Sequence, residues 1–414
     1  MEPVPVVGRG FFPLDEQLAL PAGSSLTPRQ QEHLVHLSSW MPFERAASML
    51  HCLLGVQVSE ATTRRQSEQA GALALAVQTQ QAKAPSEDPP KPEARLAVSA
   101  DGAYVPLLKG AWAHLRPGAI GEVAAEGQSQ GEPEVHVHQL SYFSRMSDAE
   151  TFADLAEVEM GRRGVSQAQE VAAVTDGAEW LQGLLDLHCP DAVRILDFAH
   201  AAEHLSALLQ ALQQAGMKLP TDLLPRLVHR LKHRGPALLL YLLARLPSHL
   251  QEQDGIREHV GYFRKRAALM QYPQYREQGW PIGSGMVESA NKLVVEARLK
   301  GAGMHWQENH VNPMLTLRNA VCNERWQESW QQITSEKQRQ RLLQRQERAT
   351  TRWQQRVGSL LLLLLRLRPA VPKPAATSSP ALKSRATLPG SSRPSPAHPW
   401  KKALVCRPKP LAKN

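Results

Sequence analysis

The stretch "EVAAVTDGAEWLQGLLDLHCPDAVRILDFAHAAEHLSALLQALQQAG", residues Glu170 to Gly216, decides the fold. It opens as a buried strand that ends at Asp176-Gly177 and gives way to a helix. "AVRIL" then reads as a second strand, ending near Asp197-Phe198, and another helix follows it. Strand, helix, strand, helix in so short a span is the pattern of crossovers between parallel strands.

Upstream, "LAVSADGAYVPLL" is a short strand ending at Asp101-Gly102 and then a second one. "AWAHLRPGAIGEV" and "EVHVHQLSYF" add strand material, and "DAETFADLAEVEMGRRG" is an amphipathic helix. The order β-β-β-α-β-α-β-α predicts an α/β fold: a mixed sheet, its first strands able to pair antiparallel, with helices packed on it.

The amino-terminal part is helical. Residues 1–26 read as an irregular arm. In "TPRQQEHLVHLSSWM", Thr27 is an N-cap and Pro28 the first helical residue. "PFERAASMLHCLLG" stops at Gly55, and Ser59 can cap a third helix, "EATTRRQSEQAG". Residues 27–77 thus have the length and punctuation of a helix-turn-helix domain, with Thr62, Thr63, Arg64 and Arg65 presented to DNA. The same residues also read as a plain three-helix bundle. Residues 78–95, polar and Pro-rich, read as a linker.

Downstream of 96–216 the period changes. Residues 217–278 read as helical throughout and are locally basic, with Arg226, Arg230, Lys232, Arg234, Arg245, Arg264, Lys265 and Arg266. Then comes "GWPIGSGMVESANKLVVEARLKGAG", Gly279 to Gly303. Its Gly-Ser-Gly makes a sharp entry into a helix and leaves Glu288 in the first turns, where a carboxylate is electrostatically favoured. Residues 279–326 would complete the sheet domain, and 217–278 would be an all-α insertion within it. Residues 327–367 suit one long solvated helix, and 368–414 a disordered basic tail.

The chain has 414 residues and a formal charge of +9. Eleven Lys and Arg with no Asp or Glu lie in residues 366–414, and removing those eleven from +9 leaves the rest at −2. A polyanionic partner must therefore be met by local patches. The four cysteines are scattered with no C-x-x-C pair, so neither a zinc ribbon nor a disulfide framework is indicated. The start "MEPVPVVGRGFF" lacks the apolar core of a signal peptide, and the run Leu360–Leu365 is far short of the roughly 20 residues that span a bilayer. A cytoplasmic protein with no membrane partner is expected.

Asp101 and Asp176 both end buried strands, on the rim where open α/β sheets place ligands. Each Asp-Gly step alone reads as well as an ordinary turn. With Glu288 they make three hard oxygen donors from separate elements, 75 and 112 residues apart. Such a set suits Mg²⁺ or Mn²⁺, and two ions could stabilise the attacking and leaving oxygens of a phosphoryl displacement.

The motifs "ADGAYVPL", "VTDGAEWLQ", "ILDFAHAAEHL" and "GWPIGSGMVESANKLVVEARLKGAGMHW" stand in order, and in them the chain resembles bacterial insertion-sequence transposases of the DDE type. The likeness is to the Mutator-related group, in its ISKra- and ISLre-type branches, over about Phe12 to Trp326. The resemblance implies a ribonuclease-H-like fold with Asp101, Asp176 and Glu288 as the catalytic, metal-binding triad. It also implies Asp197 and His200 as an accessory motif near the active site. By that likeness the activity is metal-dependent strand cleavage and strand transfer at the ends of a mobile element. The partners would be double-stranded DNA at element ends and target, bound by a homo-oligomer at the nucleoid.

Relatives often carry a Cys-x-x-Cys pair before a segment like "GRGFFPLD". Its absence here, with the unusual tail, leaves a second expectation: a truncated, catalytically inactive relative that only binds DNA. A rival from another class is "His200-Ala-Ala-Glu203-His204", which matches the H-x-x-E-H zinc-peptidase motif literally. Lys292, Arg298 and Lys300 around the third motif are expected to meet DNA phosphates, although Lys292 also suits an ion pair with Glu288 four residues earlier. Trp280 and Trp306 read as core residues more readily than as base-stacking platforms.

Overall fold

The computed structural model of the chain describes residues 26–83, 95–124, 127–129 and 132–366. Residues 1–25 of the expected arm, 84–94 of the expected linker and the whole tail 368–414 lie outside the described residues. The chain divides into two compact units, 1–347 and 348–414.

Three helices come first: α1 (Pro28–Trp40), α2 (Phe43–Leu54) and α3 (Glu60–Lys83). Thr27 caps α1 in a capping box, its hydroxyl accepting from Gln30 N–H at 3.3 Å while the Gln30 side chain accepts from Thr27 N–H at 2.9 Å. Gly55 ends α2 in the left-handed conformation, φ 67°. The third helix is longer than the sequence suggests. Residues 78–83, expected in a linker, continue it, because Gln, Ala and Lys are good helix formers.

The sheet is mixed and built around β1 (Arg95–Ala100). On one side, β3 (Trp112–Val123) pairs antiparallel with β1, and β6 (Val137–Arg145) pairs antiparallel with β3. On the other, β7 (Glu170–Thr175) pairs parallel with β1, and β8 (Val193–Leu196) pairs parallel with β7. A short strand, β2 (Ala103–Pro106), folds back on the start of β3. The strands β4 (Gly127–Ser129) and β5 (Glu132–Glu134) form a separate two-stranded ribbon. In β1, Val98 faces Ile120 of β3 and Ala173 of β7. The chain thus has the mixed α/β architecture that its strand and helix order predicts.

Alternation along β1 sets the two faces. Leu96, Val98 and Ala100 point to one, where they meet Phe152, Ala156 and Met160 of α4 (Ala149–Arg162) and Leu181, Leu184 and Leu185 of α5 (Glu179–His188). Ala97 points to the other, with Leu115 and Ala119 of β3. Helices from the end of the chain cover that face. Full burial of each large apolar side chain contributes about 1.5–3 kcal/mol.

Past β8 the chain runs through α6 (Phe198–Gln214), α7 (Leu223–Arg234), α8 (Ala237–Ala244), α9 (Ser248–Gln251), α10 (Asp254–Lys265) and α11 (Tyr272–Glu277). Leu205, Leu208, Leu231, Val260, Phe263 and Tyr272 join Val174 and Ile195 in one core, so these helices are moored to the β7–β8 edge.

The third motif forms a continuous run: α12 (Gly285–Ala290), a π-helical turn (Asn291–Glu296) and α13 (Ala297–Leu299). Next come α14 (Glu308–Cys322) and α15 (Trp326–Arg366), the long helix expected over 327–367. Gly71 of α3 lies against Pro313 of α14; a Cβ there would stand 2.4 Å from the Pro313 carbonyl oxygen. Among the described residues no helix is long and apolar enough to cross a membrane.

Candidate active site

Three adjacent parallel strands each end in an aspartate. Asp101 follows β1, Asp176 follows β7 and Asp197 follows β8. Since β1 pairs with β7 and β7 with β8, strand pairing itself gathers these residues at one edge of the sheet. Asp101 N–H donates to Pro117 O at 3.0 Å, and Asp197 N–H donates to Thr175 O at 2.7 Å.

The three carboxylates have different surroundings. Asp101 Oδ1 accepts from Gly102 N–H at 2.7 Å. Asp176 Oδ1 accepts from Ala178 N–H at 2.8 Å, closing a turn before α5. Asp197, only 1% exposed, caps α6 by accepting from Ala199 N–H at 2.7 Å. It also accepts from Ser284 N–H at 3.2 Å, from the Ser284 hydroxyl, and from His200 Nδ1 at 3.2 Å.

The electrostatics follow from these contacts. Burial pushes the Asp101 carboxyl above the usual carboxylate range; the Gly102 amide opposes this, and the charges of Asp176 and Asp197 add to it. Burial would also raise Asp197, but hydrogen bonds from His200, Ser284 and Ala199 hold it below its ordinary value. His200 is raised to about 9, first by its hydrogen bond to Asp197 against the cost of burial, then by the charges of Asp197, Asp101 and Glu203. At neutral pH His200 is therefore an imidazolium beside the Asp197 carboxylate.

Glu288 has a partner of its own. It lies in the first turn of α12, which packs on β1, β3 and β6. Its side chain is 59% exposed and meets Lys292 Nζ at 3.5 Å, the ion pair that the spacing allowed. Among the described residues, no group of three or more His, Cys, Asp and Glu side chains is set to hold a metal ion. The helix is nonetheless tied to the edge. Ser284, whose carbonyl accepts from Glu288 N–H at 3.3 Å, is the residue that donates to Asp197.

His200 and His204 lie one turn apart on α6, but their Nδ1 atoms have separate partners. His200 Nδ1 bonds Asp197, and His204 Nδ1 pairs with His259 Nδ1 at 2.9 Å while its ring stacks on Tyr262 at 3.6 Å. Glu203 is exposed.

Several expected DNA contacts are placed otherwise. Arg298 is 2% exposed, so it is a structural cation and not a surface phosphate contact. Its Nε donates to Ser38 O at 2.8 Å, and its guanidinium lies 4.7 Å from the Phe43 ring centroid and 5.1 Å from that of Trp306. Burial and the neighbouring Arg318 lower it to about 10. Thr63, expected to face DNA, is fully buried and donates to Ser59 O at 3.1 Å. Arg64 and Arg65 are exposed. Lys292 is exposed, and Lys300 is half-buried against Glu296 at 3.0 Å. Trp280 and Trp306 are core residues, 2% and 5% exposed.

Residues outside the expected set also reach the edge. His114 of β3 sits where a Cβ on Gly102 would be, 2.8 Å from its Nε2. Tyr262 and Arg266 reach the Asp176-Gly177 turn from the helical segment. The only hint of them in the sequence was a block of basic residues.

No family model matches the chain, and no curated protein matches it. Among solved structures, the chain is similar to the Drosophila P element transposase strand transfer complex at 10% identity and a TM-score of 0.26, over 77% of this chain and 84% of that one.

Proposed function

We propose that this chain is a DNA transposase of the DDE type, which cuts and joins DNA strands at the ends of a mobile element. The observation that carries the reading is the placement of Asp101 and Asp176 at the ends of two paired parallel strands, beside Asp197 and His200. The mixed sheet is consistent with the ribonuclease-H-like fold that the resembling motifs imply.

The donor chemistry at the edge fits a hard divalent cation. Asp101 and Asp176 would supply oxygen ligands, and the Asp101 carboxyl is under-compensated, since burial and like charge both disfavour its ionised form. Asp197 is already engaged by four donors. Asp101 and Asp176 would therefore hold Mg²⁺ or Mn²⁺, with Glu288 as the third carboxylate in place of its present contact with Lys292. Bound there, two such ions would stabilise the attacking and leaving oxygens of the displacement.

The chain's own groups have distinct tasks. Asp101 and Asp176 are fixed by the strand ends and would hold the cations in one place against the reacting phosphate. His200, held charged by Asp197, places a positive charge at the same edge, where it can meet a phosphate oxygen. The exposed Arg64 and Arg65 of α3, and exposed basic residues of 217–278 such as Arg230, Arg234 and Arg245, suit the DNA backbone, where contacts position without reading sequence. In vitro, DNA carrying the sequences that flank the gene should be nicked in Mg²⁺ and left intact in EDTA. Cleavage that is indifferent to EDTA would count against the reading.

The engagement of Glu288 by Lys292 favours a second reading, a relative that binds DNA without cutting it. Retention of such DNA in a mobility shift, with no nicking in Mg²⁺ or Mn²⁺, would decide for it.

A further inference from the structure

Two consecutive backbone carbonyls at the end of β7 are gripped by the helical segment that follows α9. Tyr262 of α10 donates its hydroxyl to the Asp176 carbonyl oxygen at 3.1 Å. Arg266, four residues on, donates to the Gly177 carbonyl oxygen twice, from Nε at 3.1 Å and from Nη2 at 2.7 Å. The two donors also brace each other, with the Arg266 guanidinium 4.2 Å from the Tyr262 ring centroid. His204 stacks on that ring at 3.6 Å. Beside them, Lys265 pairs with Glu179 in the first turn of α5.

The turn itself is shaped to accept this grip. Gly177 has φ +77°, and a Cβ there would stand 2.3 Å from Arg266 Nε. Glycine both adopts the left-handed conformation and leaves room for the guanidinium. The turn joins a buried strand to a helix, and the direction in which the Asp176 carboxylate points depends on the Asp176 and Gly177 dihedral angles. A bidentate guanidinium on one carbonyl and a phenol on the preceding one fix both peptide planes.

We propose that Tyr262 and Arg266 are positioning residues that aim the Asp176 carboxylate at a divalent cation, so that the helical segment sets the metal affinity of the sheet edge. The proposal rests on the reading that Asp176 is a metal ligand. It gives Arg266 a role other than contact with DNA phosphate, which its place in a basic block would suggest. Partners that orient a ligand from behind it typically change metal affinity by ~10–100-fold when removed.

The test is a Mn²⁺ titration of the full chain, followed by the electron paramagnetic resonance of free Mn²⁺, with folding checked by thermal melting. Tyr262→Phe removes one hydroxyl and keeps the ring between its neighbours; Arg266→Ala removes both donors, and Arg266→Lys restores a cation without the fork. DNA affinity and its salt dependence are measured in parallel. Expected are roughly tenfold weaker Mn²⁺ binding in Arg266→Ala, a smaller loss in Tyr262→Phe, partial rescue in Arg266→Lys and an unchanged salt slope. If folded Tyr262→Phe and Arg266 variants bind Mn²⁺ as wild type does while Asp176→Asn does not, the positioning role is wrong and the transposase reading stands. Reduced salt slope with unchanged Mn²⁺ affinity would make Arg266 a phosphate contact and overturn the proposal. Wild-type Mn²⁺ binding by Asp176→Asn would overturn the proposal together with the assignment of Asp176 as a ligand.

Discussion

Ser284 donates its backbone N–H to Asp197 at 3.2 Å, and its hydroxyl donates to the same carboxylate oxygen. Through this contact the entry to the helix that carries Glu288 is fastened to the end of β8. Ser284→Ala removes one donor and leaves Asp197 with the others. Hydrogen bonds to charged groups contribute about 1.5–3 kcal/mol, so urea unfolding should show a loss of that order. Stability within error of wild type would mean that the hydroxyl contact does not fasten the two elements.

The Asp197–His200 pair sets a pH dependence. His200 is raised to about 9 in the folded chain from an ordinary 6.5, so its contribution to stability is full below pH 6.5 and is lost as pH rises through 9. Asp197 is depressed, so its contribution is present above its ordinary value and is lost as pH falls through the lower folded value. The drop in melting temperature caused by His200→Gln should therefore be large at pH 6 and small at pH 10. An equal drop at both pH values would contradict the assigned charge.

Two glycines should respond to alanine with opposite signs. Gly71 and Gly183 both lie within helices, where Ala is intrinsically favoured by about 0.8–1 kcal/mol. At Gly183 nothing stands within 4 Å of a new Cβ, and Gly183→Ala should stabilise by nearly that amount. At Gly71 the new atom would meet the Pro313 backbone at 2.4 Å, and α3 and α14 would have to separate. Overpacking of about 1–3 kcal/mol should outweigh the propensity gain, so denaturant midpoints should move in opposite directions.

Arg298 and Lys292 separate structural from surface cations. Arg298→Ala leaves Ser38 O without its donor and opens space between Phe43 and Trp306, and should destabilise by roughly 2–5 kcal/mol. Lys292→Ala should stay within about 0.5 kcal/mol of wild type in stability. Its effect, if it meets a phosphate, should be a shallower dependence of DNA affinity on salt. A stable Arg298→Ala with a shallower salt slope would reverse the assignment.

The parts of this architecture that are local in sequence were readable there. The β-α-β-α run from Glu170 predicts parallel strands, and β7 and β8 are parallel. The steps at Asp101 and Asp176 read as strand ends, and they are. The helical reading of 217–278 follows from local pattern, and α7 to α11 fill that span. Contacts between distant segments were hidden. Arg298 reads as one more surface cation beside Lys300, although Val294 and Val295 one turn earlier are buried, and only the fold brings Ser38, 260 residues away, to its guanidinium. Arg266 reads as one more basic residue, and its partner Gly177 lies 89 residues earlier. The length of α3 was masked by polar composition, since a run of Gln and Thr reads as a linker until a packed neighbour supports it.

In the proposed reaction Asp101, Asp176 and Glu288 act together on a divalent cation. Crystals of the chain grown with Mn²⁺ and flanking DNA, with data collected at the manganese edge, test it most directly. The account predicts anomalous peaks in contact with Asp101 and Asp176, with the Glu288 carboxylate turned from Lys292 to complete the site. Peaks elsewhere, or none while Glu288 still pairs with Lys292, would contradict it.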